Sequence, residues 1–141
     1  MTVYESYEDR LKEAQTARAL GETWRLRLLR LPRLSEVDYI AVRNDTVTAL
    51  VEFKRRTVAH DYYETFMLSK RKVDSLVGTA NRMQIEALIA IEFTDGIYWV
   101  DAHEMSRQAV RLGGRHDRPS DPSSVEDTYH LPHEILRGLD V

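Results

Sequence analysis

The chain has 141 residues, of which 43% are hydrophobic and 30% charged, with a formal net charge of −3. That is ordinary for one soluble globular domain with a sizeable core. There is no cysteine, which excludes disulfides, thiolate zinc sites and a cysteine nucleophile. The first residues are polar and acidic, so no signal peptide is expected. No apolar run approaches membrane-spanning length, so a cytoplasmic protein with no membrane partner is expected.

In chain order, Tyr4, Tyr7, Leu11 and Ala14 form an apolar stripe at helical spacing, predicting a helix over 3–20 with Gly21 as its stop. Residues 23–31 begin by alternating and read as a strand that Pro32 ends. Val37 to Arg43 and residues 46–54 read as two strands joined by Asn44-Asp45, both tolerant of turn geometry. A loop containing His60 and Asp61 follows, then a helix over 65–82 with Met67, Val73, Leu76, Val77 and Ala80 on its buried side. Ala87 to Phe93 and Ile97 to Val100 flank the turn Asp95-Gly96 and predict a second hairpin. Val110 to Leu112 reads as a short strand, and 113–124 as a Gly/Pro-rich loop expected to be mobile. Thr128 to Leu131 reads as a last strand before a short helix from Pro132 to Leu139. No repeat or low-complexity tract interrupts the chain, so residues 1–141 are expected to form a single α/β domain with helices packed on a sheet.

The charge is uneven. Residues 24–72 hold eleven Lys or Arg against six Asp or Glu, while the remainder is acidic. A locally basic face suits a phosphate backbone, although solvated surface charge is the commoner outcome.

The chemistry concentrates at the first hairpin. Glu52 and Lys54 are two apart on a strand and share a face, and Asp38 lies one hairpin upstream. Folding the hairpin brings Asp38 toward Glu52. Hydrolysing a phosphodiester needs an activated water, neutralised charge and a stabilised leaving group, and a hard cation such as Mg²⁺ serves these needs. Asp38 and Glu52 would supply carboxylate oxygens, the Phe53 carbonyl a third ligand, and Lys54 would sit beside the water and stabilise developing charge. A bare Glu-x-Lys triplet signals nothing, since strand-end ion pairs are routine. An apolar strand ending in a carboxylate and an ammonium, with an upstream acid, calls for a reason.

Val37-Asp38-Tyr39-Ile40-Ala41-Val42-Arg43-Asn44, followed by Ala49-Leu50-Val51-Glu52-Phe53-Lys54-Arg55-Arg56, resembles the core of the PD-(D/E)XK nucleases. It is most similar to the branch of Holliday-junction resolvases and related phage or prophage endonucleases. Val37 stands where the family name has proline. The resemblance implies a restriction-endonuclease-like fold, a central mixed β-sheet flanked by helices in αβββαβ order. It implies a Mg²⁺- or Mn²⁺-dependent endonuclease cutting DNA, with branched or junction substrates in view and RNA still open. Asp38 and Glu52 would hold the metal and Lys54 would assist catalysis.

The family often adds a glutamate from the N-terminal helix. Glu5, Glu8 and Glu13 are candidates, and Glu8 is preferred because it flanks the Tyr4/Tyr7/Leu11 stripe while Glu13 falls opposite. A lysine near the start of the next helix matches Lys72 better than Lys70, and both are expected to meet nucleic acid. Arg55 and Arg56 follow the site and are placed on backbone phosphates. Arg25, Arg27, Arg30, Arg33, Arg115 and Arg118 are weaker candidates. Tyr62, Tyr63 and Phe66 would either stack on unpaired bases or pack a helix entrance. A homodimer would suit paired cuts at a junction. The rival reading is a catalytically silent nuclease-fold module that only binds nucleic acid or a protein partner.

Overall fold

The computed structural model describes residues 7–32, 37–114 and 125–139, with backbone alone at 7–10, 113–114 and 125. The chain opens with helix α1 (Tyr7–Trp24) and three strands, β1 (Arg27–Arg30), β2 (Tyr39–Arg43) and β3 (Thr46–Arg55). Strand β4 (Thr65–Ser69) leads into helix α2 (Lys70–Met83), then β5 (Glu86–Phe93), β6 (Gly96–Asp101) and the short α3 (Ala102–Met105). Strands β7 (Ala109–Gly114) and β8 (Val125–Pro132), a 3₁₀ turn (His133–Ile135) and β9 (Arg137–Gly138) complete it.

Two sheets result. The larger runs β1-β2-β3-β5-β6-β9, and the smaller runs β4-β8-β7. In the larger sheet only β3 and β5 pair in parallel, so it is a mixed sheet flanked by helices, the expected class. Alternation along β3 divides the core. Ala49, Val51 and Phe53 pack with Ala17 and Leu20 of α1. Leu50 packs on the other side with Val73 and Leu76 of α2, together with Ile89 and Ile91. Each such side chain, fully buried, contributes about 1.5–3 kcal/mol. At the β2–β3 turn Asn44 and Asp45 take φ of 51° and 62°, the left-handed pair that a two-residue hairpin requires.

The helix ends explain where expected boundaries moved. Gly21 is inside α1. Arg25 (φ 55°) is the left-handed residue, and Leu26 N–H bonds the Gly21 carbonyl at 2.9 Å, closing a Schellman end. Glycine is needed at 21 because a Cβ there would lie 2.9 Å from the Leu26 carbonyl oxygen. The buried face of α1 is Thr16, Ala17 and Leu20, whereas Leu11 is 48% exposed and Ala14 is exposed. The predicted apolar stripe therefore faces outward at both of these positions.

Residues 65–69 are strand, not the start of the second helix. Phe66 and Leu68 alternate into the core while the segment pairs with β8. Ser69 then caps α2, its side chain accepting from the Lys72 amide. A fourth strand thus stands between the two long helices. The predicted C-terminal helix is only the 3₁₀ turn, after which β9 pairs with the edge strand β6. The predicted loop 113–124 begins with two residues of β7, and 115–124 lie outside the described residues.

Candidate active site

Asp38 sits just before β2, whose last rung with β3 is Tyr39 opposite Val51. Beyond that rung the Phe53 amide has no partner strand on this side. The Asp38 carboxylate takes its place, Oδ2 accepting the Phe53 N–H at 2.8 Å. The Asp38 carbonyl in turn accepts from the Leu31 amide at 2.8 Å. The acid is held at both ends, and its carboxylate lies against the residue between Glu52 and Lys54.

Glu52 and Lys54 point to the α2 face, Oε1 and Nζ 3.4 Å apart, with side chains 14% and 20% exposed. The Glu52 carboxyl is pushed up to about 7. Burial is the main cause, the Asp38 charge adds to it, and Lys54 and Lys72 oppose it. Lys72, one turn into α2, joins the same cleft with Leu68, Val73, Leu76 and Ile89, around a space of about 10 Å³, near the scale of one water. The Lys72 ammonium is pushed down, first by the neighbouring Lys54 charge and then by burial. Asp38, Glu52, Lys54 and Lys72 therefore form one electrostatic group contributed by the start of β2, the end of β3 and the first turn of α2.

The donor set fits a hard divalent cation. It offers two carboxylates and no sulfur, and one carboxyl is destabilised in its charged form by low solvation and a second negative charge. Accepting one N–H leaves an Asp carboxylate with further lone pairs for a cation. Phe53, whose carbonyl is the expected third ligand, holds Asp38 through its N–H.

The other expected residues divide. The Glu8 side chain lies outside the described residues, as do Glu5, Arg33, Arg115 and Arg118. Glu13, expected on the far side of α1, lies inward instead, its carboxylate 2.7 Å from Arg30 Nη1. Arg55 is on the α1 face, away from Lys54, with Nε 3.6 Å from Glu92 Oε1. Glu92 also accepts from the buried Thr16 hydroxyl at 3.0 Å. Lys70 is engaged by Asp74, which also accepts the Tyr129 hydroxyl at 2.6 Å. Of the four cations expected to grip nucleic acid, Arg56 and Lys72 share the face of Glu52 and Lys54.

Arg56, expected on backbone phosphates, carries the alternation of β3 one residue past its end and returns to the face of Glu52 and Lys54. Its amide bonds the Glu92 carbonyl at 2.9 Å, extending the β3–β5 ladder by one rung. Its guanidinium reaches the Arg55 and Met67 carbonyls and lies 5.3 Å from the Phe66 ring centroid. Burial pushes its pKa down. No sequence signal marked this enclosure, because Met67 and Phe66 arrive from β4.

His60 and His103 serve local structure. His60 Nδ1 lies 2.6 Å from Asp95 Oδ2 while its amide donates to Asp95 Oδ1 at 2.9 Å. With Asp61 these residues bring ligand atoms within 4.8 Å of one another, a group separate from Asp38 and Glu52. His103 ties α3 to Asn81 of α2 at 2.7 Å.

A family model described as "Phage putative PDDEXK endonuclease" matches residues 1–138. Among solved structures, the chain is similar to Hjc, a Holliday junction resolvase from the archaeal hyperthermophile Archaeoglobus fulgidus. The match has a TM-score of 0.55 and 18% identity, and it covers 88% of this chain and 86% of that one. No curated protein sequence matches the chain. Among the described residues no helix is long and apolar enough to cross a membrane.

Proposed function

The chain belongs to the family of phage PDDEXK endonucleases, a nuclease with a resolvase-like fold, and on that premise we propose that it hydrolyses DNA phosphodiesters with a divalent metal at Asp38 and Glu52. The single observation that carries this reading is the group itself: two carboxylates and two ammonium groups on one face at the end of β3, with Glu52 held at about 7 by burial and by Asp38.

Each side chain has work that follows from its position. Asp38 is oriented by the Phe53 N–H, so its carboxylate is set before any ligand arrives. Mg²⁺ or Mn²⁺, held by Asp38, Glu52 and the Phe53 carbonyl, would supply charge neutralisation at phosphorus and acidify the attacking water. Lys54, beside Glu52, orients that water and stabilises the charge that develops on the phosphate. Lys72 meets a non-bridging phosphate oxygen. Its close ammonium neighbour makes an added anion favourable to both lysines. Glu8 would add a further carboxylate from α1. Branched or junction DNA is the substrate class this reading favours, and a homodimer would place two such sites for paired cuts.

The test is a panel of junction, flap, duplex and single-stranded substrates with Mg²⁺ or Mn²⁺. Cutting that EDTA abolishes and that Lys54→Ala loses while retaining binding is the expected result. Absence of metal-dependent cutting on every substrate overturns the proposal.

A further inference from the structure

The cleft around Glu52, Lys54 and Lys72 has only about 10 Å³ of free space, enough to work on a backbone phosphate at its surface but not to admit a base. A larger cavity opens on the same face. It has a volume of about 540 Å³ and is walled by the rings of His60, Tyr63, Phe66 and Phe93, with Arg56 and Arg111 beside them. Arg56 follows Lys54 by two residues on the extended ladder, so the two point the same way, about 7 Å apart along the strand. That is close to one nucleotide's stride along an unstacked strand. A groove of similar size, about 530 Å³, lies between α1 and β1 on the opposite face and is not continuous with this path.

We propose that this cavity receives one unpaired nucleobase from the strand being cut, at a nucleotide next to the scissile phosphate. The inference rests on the nuclease reading and narrows its substrate to DNA with a base free to leave the stack: a flap, a branch point or a single strand.

Two features of the walls argue for that occupant over an apolar peptide side chain. Among the described residues Arg56 makes no ion pair with a carboxylate. Its guanidinium meets two backbone carbonyls and the face of Phe66, leaving a partly enclosed cation for which a phosphate is the complementary charge. Of the rings that wall the cavity, Phe66 and Phe93 are buried, whereas Tyr63 is 63% exposed and offers a ring on which a base can stack. His60 is fixed by Asp95 and stacked on Tyr98 at 4.1 Å, so its ring is a rigid wall. Glu64 at the rim adds an acceptor for an exocyclic amine and weighs against a second phosphate inside the cavity.

The experiment is a lesion scan. A labelled flap substrate carries an abasic site stepped through the single-stranded segment and the branch point, and each version is measured for affinity in EDTA and for cutting in Mn²⁺. Wild type and Tyr63→Ala are compared, and equal melting temperatures confirm that the exposed ring is dispensable for folding. The expected result is one position at which the lesion weakens wild-type binding by roughly 5- to 150-fold, the range for loss of one base stack. At that position Tyr63→Ala should show the same loss on the intact strand and little further loss on the lesion. Base-dependent binding without cutting on any substrate would retain the cavity's role and overturn the nuclease reading. Cutting that is indifferent to every lesion, or equal loss by Tyr63→Ala on intact and abasic strands, would overturn the cavity's role and leave the nuclease reading standing.

Discussion

Asp38 Oδ2 accepts the backbone N–H of Phe53 at 2.8 Å, so an acid from one strand substitutes for the missing neighbour of the other. The same contact that completes the sheet's hydrogen bonding also holds the carboxylate where its charge raises the Glu52 pKa. The structural role of Asp38 and its proposed catalytic role can be separated because they need different atoms.

Asp38→Asn keeps an acceptor for the Phe53 amide, whereas Asp38→Ala leaves that amide unpaired. Thermal or denaturant unfolding should show Asp38→Ala less stable than Asp38→Asn by about 1–3 kcal/mol, the cost of a lost partner in a partly buried place. Both variants should lose metal-dependent cutting. Equal stability of the two would show that the hydrogen bond has no structural weight.

Glu52 predicts a pH dependence of stability. Its folded pKa is raised from 4.5 to about 7, so between those values the native state binds more proton than the unfolded chain. Stability from this group is therefore present below the unfolded value and lost as pH rises toward about 7, and above that the strain persists. Glu52→Gln should remove the slope and make the metal-free protein more stable at pH 8 by about 1–3 kcal/mol, while abolishing cutting. The observation to make is melting temperature against pH in EDTA. A wild-type curve that is flat from pH 5 to 8, with no gain in Glu52→Gln, contradicts the burial argument.

Lys54 touches the reacting groups in the proposed mechanism, and its removal should act on rate rather than on binding. Lys54→Ala is expected to lower the single-turnover cutting rate by roughly 10²–10³-fold, the scale of one electrostatic stabiliser in a solvent-poor site. DNA affinity measured in EDTA should change little. A comparable loss in both would reassign Lys54 to binding.

Lys70 and Lys72 lie two residues apart and make opposite predictions. Lys70 is engaged with Asp74 and lies 5.6 Å from the Tyr129 ring centroid, so Lys70→Ala should leave cutting unchanged. Lys72 shares the cleft with Glu52 and Lys54, so Lys72→Ala should reduce cutting and lessen the salt dependence of binding. Cutting assays of the two variants side by side decide it, and a larger loss in Lys70→Ala would reverse the assignment.

Gly21 offers a control remote from the site. Gly21→Ala puts a Cβ 2.9 Å from the Leu26 carbonyl oxygen, a backbone atom that cannot move aside cheaply. The α1 end should loosen, with a stability loss of about 1–3 kcal/mol as for an overpacked position. Cutting below the melting range should be retained.

The first hairpin and its acids were legible in the amino-acid order because their signals are local. Strand alternation puts Glu52 and Lys54 on one face, and Asn44-Asp45 supplies the left-handed turn that folds Asp38 back toward them. The same alternation places Arg55 on the opposite face, beside Glu92. Other features rest on partners far along the chain, and local pattern does not reach them. Residues 65–69 become strand because β8, more than fifty residues later, offers a ladder whose pairing outweighs weak helix propensity. The buried side of α1 was decided by what the sheet presents to it, Phe53 and Glu92, so Thr16 and Glu13 turn inward although Leu11 is the more apolar residue. The cavity beside Arg56 joins residues near 60, 66, 93 and 111, and no spacing within one segment encodes such a volume. Periodicity along a chain fixes which side chains share a face; long-range pairing, which repays loop-closure entropy only once the whole sheet forms, decides what that face meets.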